Sequence, residues 1–181
     1  MTSPEADLTG WTMAPFSAAG FTYDVYSRGE GPGVVLIPEM PGVHPGVLAL
    51  GNHLVDNGFT VDIPSLYGTP GAAAVRPGAA AVMLRGCVAK EFAAFATNAD
   101  RPIAHYLRAL ARDLNERTPG KGVGVIGECW SGGFALAAAV DDSVLAPVMS
   151  QPSLPIGLTA KQKADPGLSE AELKVVERRA A

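Results

Sequence analysis

The sequence predicts an α/β fold, a doubly wound and mostly parallel sheet with helices on both faces, and three observations carry that expectation. Short apolar runs rich in β-branched residues, such as Val34-Val35-Leu36-Ile37, have the composition of strands buried on both faces. Stretches of helical period separate these runs, giving the strand, helix, strand order of the crossover that joins parallel strands. The chain of 181 residues carries 21 glycines and 15 prolines, above the average share yet below that of disordered chains, so they mark frequent sharp turns.

Alternating Phe21, Tyr23 and Val25 read as a half-buried first strand, closed by the turn residues Gly29 to Gly33. The run Val34–Ile37 follows and ends in the loop Pro38-Glu39-Met40-Pro41-Gly42. From Gly46 to Asn57, Val47, Leu48, Leu50, Leu54 and Val55 fall near helical spacing, and Gly58 suits the left-handed turn after a helix. Phe59 to Ile63 makes the next strand. Residues 68–100 mix Gly, Ala and Pro, show only a weak helical pattern at Lys90 to Ala96, and read as a cap or active-site loop.

Pro102 opens the clearest helix, with Ile103, Leu107, Leu110 and Leu114 on one stripe and Arg108, Arg112 and Glu116 off it. Pro119-Gly120 ends it. Val123 to Ile126 is a strand, Gly132 to Val140 a helix, and Val144 to Met149 a strand. Ser169 with Glu172 forms a capping box, and Leu168 with Leu173 a hydrophobic staple, so a last helix starts there and runs to Ala181.

Composition narrows the function classes. With 48% hydrophobic and 18% charged residues, the chain has material for one ordinary core, so residues 1–181 are expected to form one domain. A net charge of -4 without a Lys/Arg cluster argues against nucleic acid and anionic lipid as partners. The N-terminus lacks a basic start followed by an apolar run, and the longest apolar stretch, Phe134 to Val140, is too short to span a bilayer; a cytoplasmic protein is expected. Two cysteines form no disulfide framework or CxxC site, and Cys87 reads as a small buried apolar residue.

The chemistry sits in Gly127-Glu128-Cys129-Trp130-Ser131-Gly132-Gly133, where a strand turns abruptly into a helix. Such a turn strains its central residue, exposes that side chain and requires small neighbours two positions away. Centred on Cys129 those neighbours are Gly127 and Ser131; centred on Ser131 they would be Cys129 and Gly133, a poorer fit. Cys129 is therefore the candidate nucleophile, because the first N–H groups of a helix favour a thiolate. The backbone N–H of Trp130 is then half of an oxyanion hole.

Three segments together resemble the dienelactone hydrolase family of α/β-hydrolases: Gly-Glu-Cys-Trp-Ser-Gly-Gly-Phe-Ala-Leu at 127–136, Val-Val-Leu-Ile-Pro-Glu-Met-Pro-Gly-Val at 34–43, and Phe-Thr-Val-Asp-Ile-Pro-Ser-Leu-Tyr-Gly at 59–68. The resemblance runs from about Gly20 to the end. It implies that Glu39 contacts and tunes the resting thiol, that the Met40 N–H completes the oxyanion hole, and that the reaction is hydrolysis of a small-molecule carboxylic ester or lactone, of the carboxymethylenebutenolidase type. No metal or organic cofactor is implied.

The family also places an Asp and then a His after the nucleophile. Here His44, His53 and His105 all precede Cys129. The expectation is an incomplete or shortened member whose sheet lacks its final strands and gains an exposed edge. Its functional alternative is a catalytically inactive hydrolase-like binding or regulatory protein. His44 follows the Glu39 loop and reads first as a polar loop residue; His53 and His105 read as solvated helix positions. Residues 68–100 do not match the family's carboxylate-binding arginine region, so the resemblance does not carry over the substrate; Arg76 and Arg85 are the arginines there that could bind a carboxylate. Gly122, Gly124 and Gly127 match GxGxxG, yet Val123, Val125 and Ile126 between them are the strand itself, which argues against a dinucleotide site. No motif specifies the substrate or the oligomeric state.

Overall fold

The computed structural model describes residues 7–74, 78–153 and 159–181. Among these, the strands are β1 (Thr12–Ala18), β2 (Phe21–Arg28), β3 (Gly33–Ile37), β4 (Thr60–Pro64), β5 (Val123–Glu128) and β6 (Val144–Ser150). The helices are α1 (Pro45–Asp56), α2 (Ala79–Val88), α3 (Pro102–Arg117), α4 (Gly132–Ala138), α5 (Ala160–Lys163) and α6 (Glu170–Ala180), with one 3₁₀ turn at Cys129–Ser131. The strands form one sheet in the order β1-β2-β4-β3-β5-β6. β2 runs antiparallel to β1 and β4, while β4, β3, β5 and β6 are mutually parallel.

Every residue of β3 is buried, and the pleat divides them between two cores. Val35 and Ile37 pack with Leu107, Leu110 and Phe134, whereas Leu36 packs with Trp11, Val47 and Leu48. The expected helices on both faces follow from this division. Each Leu of the α3 stripe contributes about 1.5–3 kcal/mol by burial, and Ile103, Leu107, Leu110 and Leu114 are all buried. Pro119 ends α3 by holding Thr118 extended, at φ -121 and ψ 152.

The capping box of α6 is present: the Ser169 N–H donates to Glu172 Oε2 at 2.7 Å, and Glu172 N–H returns to Ser169 Oγ at 3.4 Å. Leu168 and Leu173 pack in one cluster, as a staple requires.

Several sequence expectations need correcting. β1 was not foreseen; it is an edge strand with Pro15 inside it, and most of its side chains are exposed. The helix of the 68–100 stretch is α2, whereas Lys90 to Ala96 form turns, because the polyalanine start of α2 gives no polar contrast to reveal a period. Cys87 is only half-buried. Arg108, off the apolar stripe as expected, is nevertheless buried; it donates to Glu172 and, at 2.8 Å, to the Ala137 carbonyl.

Candidate active site

β5 delivers the chain to Cys129, which holds a left-handed φ of 47°. A non-glycine side chain in that region is under steric strain, as the strand-to-helix turn requires. Gly127 is obligatory below it: a Cβ there would stand 2.8 Å from the Ser131 carbonyl oxygen. Ser131 is completely buried, and its hydroxyl donates to Glu128 O at 2.9 Å and lies 3.2 Å from Ile37 O. That hydroxyl is a staple between β5 and β3, whereas Cys129 keeps part of its surface open.

Sheet register brings the second loop to the same level. Ile37 pairs with Gly127, so two residues on, past the strand ends, Glu39 stands level with Cys129. The loop is pinned by the Tyr67 hydroxyl, which donates to Pro38 O, and by Ser131 Oγ at Ile37 O. Met40 is half-buried with its side chain against Gly86 of α2.

His44 differs from its reading as a polar loop residue: it is buried and caps α1. Gly46 N–H donates to its Nδ1 at 3.0 Å, and its Nε2 lies 3.1 Å from Glu39 Oε1. An accepting Nδ1 carries no proton, so the ring proton is on Nε2 and is donated to the carboxylate. Both ring nitrogens are thereby engaged. His53 and His105 are exposed, as expected, and His105 pairs with Asp100 at 2.7 Å.

Two further groups belong to this site and were not singled out in the sequence. Glu128 shares a face of β5 with Ile126, the α1 side; burial and the charge of Glu39 push its carboxyl up, against the opposing influence of His44. Tyr67 lies within electrostatic reach of both Glu39 and Cys129, and burial pushes its phenol well above its ordinary range. The signal for Glu128 was its place beside Cys129. Tyr67 had only a position after β4.

Trp130 is buried in an aromatic cluster, its ring centroid 4.8 Å from Phe92, 5.5 Å from Tyr67 and 5.8 Å from Phe134. Behind that cluster lies a cavity of about 430 Å³, lined by Leu66, Tyr67, Thr69, Arg85, Glu91 and Phe92 among others. Cys129 is not part of its lining, but Tyr67, which lies within electrostatic reach of Cys129, is. Arg85 is on this wall, whereas Arg76 lies outside the described residues. Among the described residues no cluster of three His, Cys, Asp or Glu could hold a metal. Among them, too, no helix is long and apolar enough to cross a membrane.

The family model that matches the chain is that of the dienelactone hydrolase family, over residues 20–166. No curated protein matches by sequence. A Klebsiella pneumoniae subsp. pneumoniae MGH 78578 protein taken to be a dienelactone hydrolase superposes with a TM-score of 0.58 at 16% identity, over 94% of this chain and 81% of that one. A dienelactone hydrolase-like promiscuous phosphotriesterase, P91, from metagenomic libraries gives 0.54 at 18% identity, over 93% and 74%. The thioesterase domain from the curacin biosynthetic pathway gives 0.52 at 15%, over 85% of this chain but 48% of its own length. At such identities the likeness is one of fold, the α/β-hydrolase sheet.

Proposed function

The chain belongs to the dienelactone hydrolase family, and from that premise we propose that it hydrolyses a small-molecule carboxylic ester or lactone through a thiolate at Cys129. The observation that carries this reading is the left-handed Cys129, φ 47°, at the end of β5 and the start of a helix. Its Sγ attacks the carbonyl carbon, and the N–H groups of Trp130 and Met40 receive the negative oxygen of the tetrahedral intermediate. Collapse expels the alkoxide, which takes up a proton and leaves as the alcohol; in a lactone it stays tethered. Water then cleaves the thioester and regenerates the thiol.

His44 is not the base in this scheme, since both of its nitrogens are engaged. The thiolate is favoured instead by the helix N-terminus and opposed by the negative charge of Glu39. The carboxymethylenebutenolidase type, with Arg85 facing a substrate carboxylate from the cavity wall, is the finer form of the proposal. A cytoplasmic setting suits the two unpaired cysteines.

The test uses p-nitrophenyl acetate with the wild-type chain and Cys129→Ala. An acetyl adduct on Cys129, seen by intact mass and peptide mapping and lost in the variant together with p-nitrophenol release, is the expected result. Acetylation of Cys87 alone, or unchanged release by Cys129→Ala, overturns the nucleophile assignment.

A further inference from the structure

The Glu39–His44 contact joins two groups that the reaction scheme leaves unconnected. The β3–α1 loop bears Glu39, whose side chain is 37% exposed and therefore has open space to move into, while the His44 side chain is only 9% exposed. The imidazole is fixed at its other nitrogen by Gly46 N–H, and its backbone N–H donates to Gly42 O at 2.8 Å. A buried donor held at both its ring and its backbone thus meets a partly exposed acceptor. We propose that His44 is the positioning residue of this site, its Nε2–H clamping the Glu39 carboxylate level with Cys129 so that the charge opposing the thiolate is held in one place.

The inference rests on the reading of Cys129 as nucleophile and Glu39 as its tuning group. Four elements present titratable groups here: Glu39 on the β3–α1 loop, His44 at the start of α1, Glu128 at the end of β5 and Tyr67 after β4. Glu128 adds a second negative charge on the α1 side, so a freed Glu39 has reason to swing away into solvent. Without the clamp, the thiolate forms at lower pH.

The two hydrogen bonds of His44 are separable by substitution. Asn keeps a short acceptor for the cap of α1 but is too short to reach Glu39. Gln reaches Glu39 with an N–H but is a poor cap. Rates of Cys129 alkylation by iodoacetamide, read by peptide mapping across pH, give the thiol midpoint without requiring turnover, and thermal melting reports the cap.

Glu39→Gln is expected to lower the midpoint by about half a unit or more, the size of a nearby like charge removed. His44→Asn should lower it in the same direction with melting preserved. His44→Gln should leave it near wild type while melting falls. If Glu39→Gln shifts the midpoint and His44→Asn does not, or if both His44 variants follow their melting temperatures, the clamp is overturned and the reading of Glu39 stands. A Glu39→Gln variant that leaves the midpoint in place overturns that reading and the clamp with it.

Discussion

Strain at a single residue separates a functional turn from an ordinary one. Cys129 keeps its Cβ at φ 47°, where the Cβ of an L-residue crowds its own carbonyl at a cost of about 1–2 kcal/mol. The fold tolerates the cost because both flanks leave no alternative: Gly127 has no space for a Cβ, and a Cβ on Gly132 would approach Pro152 to 2.8 Å. Two replacements that both delete the thiol should then differ in stability. Cys129→Gly removes the Cβ and the strain, whereas Cys129→Ala keeps both, so the glycine variant should be more stable by about 1 kcal/mol. Urea unfolding of the pair measures it, and equal midpoints would mean the turn is unstrained.

At the scale of elements, β6 stands apart. Among the described residues it pairs only with β5, and Leu145, Val148 and Met149 are 57%, 47% and 45% exposed. α6 approaches one face, where Leu145 and Pro147 border a cavity of about 220 Å³ together with Val176 and Ala180. Val148 points to the opposite face, beside Ile126 in register. An apolar edge strand of this kind invites pairing with another chain, and a lysine on it opposes that pairing. Val148→Lys should therefore reduce concentration-dependent light scattering of the 181-residue chain with its circular dichroism unchanged. A wild-type chain that stays monodisperse at millimolar concentration would contradict this. β3 was readable because its burial on both faces leaves a continuous β-branched run, β5 because Val123, Val125 and Ile126 survive between its glycines, and the α3 stripe because its charged residues contrast with its leucines. β1 and α2 were not, since Pro15 and the alanines of α2 break or flatten the pattern. The turn at Cys129 is local and was legible, whereas the approach of Glu39, Glu128 and Tyr67 depends on sheet register, which no local spacing encodes, and that of His44 on how the β3–α1 loop folds back.

Across the whole molecule, α3 is the hub to which distant elements are tied by charge. Arg108 binds Glu172 of α6, Arg112 binds Asp141 after α4, and Arg117 binds Asp62 of β4. Burial would raise the Glu172 carboxyl, but the hydrogen bonds from Arg108 and Ser169 overcome it and hold the group below its ordinary value. A carboxylate depressed in the folded state contributes stability above its unfolded pKa and loses it as pH falls through the folded one. Glu128 has the opposite sign: raised first by burial and then by Glu39, it favours the fold while protonated and loses that contribution as pH rises through its folded value. The site thus works against the scaffold at neutral pH. Glu172→Gln breaks a buried pair and should cost about 3 kcal/mol at pH 7, roughly 6–12 °C in melting temperature for a chain of this size, with the deficit shrinking toward pH 2. Glu128→Gln should melt above wild type at pH 7 and match it once both carboxyls are protonated. Differential scanning calorimetry of the three proteins from pH 2 to 8 separates the signs. If Glu128→Gln melts lower than wild type at pH 7, its carboxylate is a structural tie of the fold, and the acidic cluster beside Cys129 is not held there against the stability of the molecule.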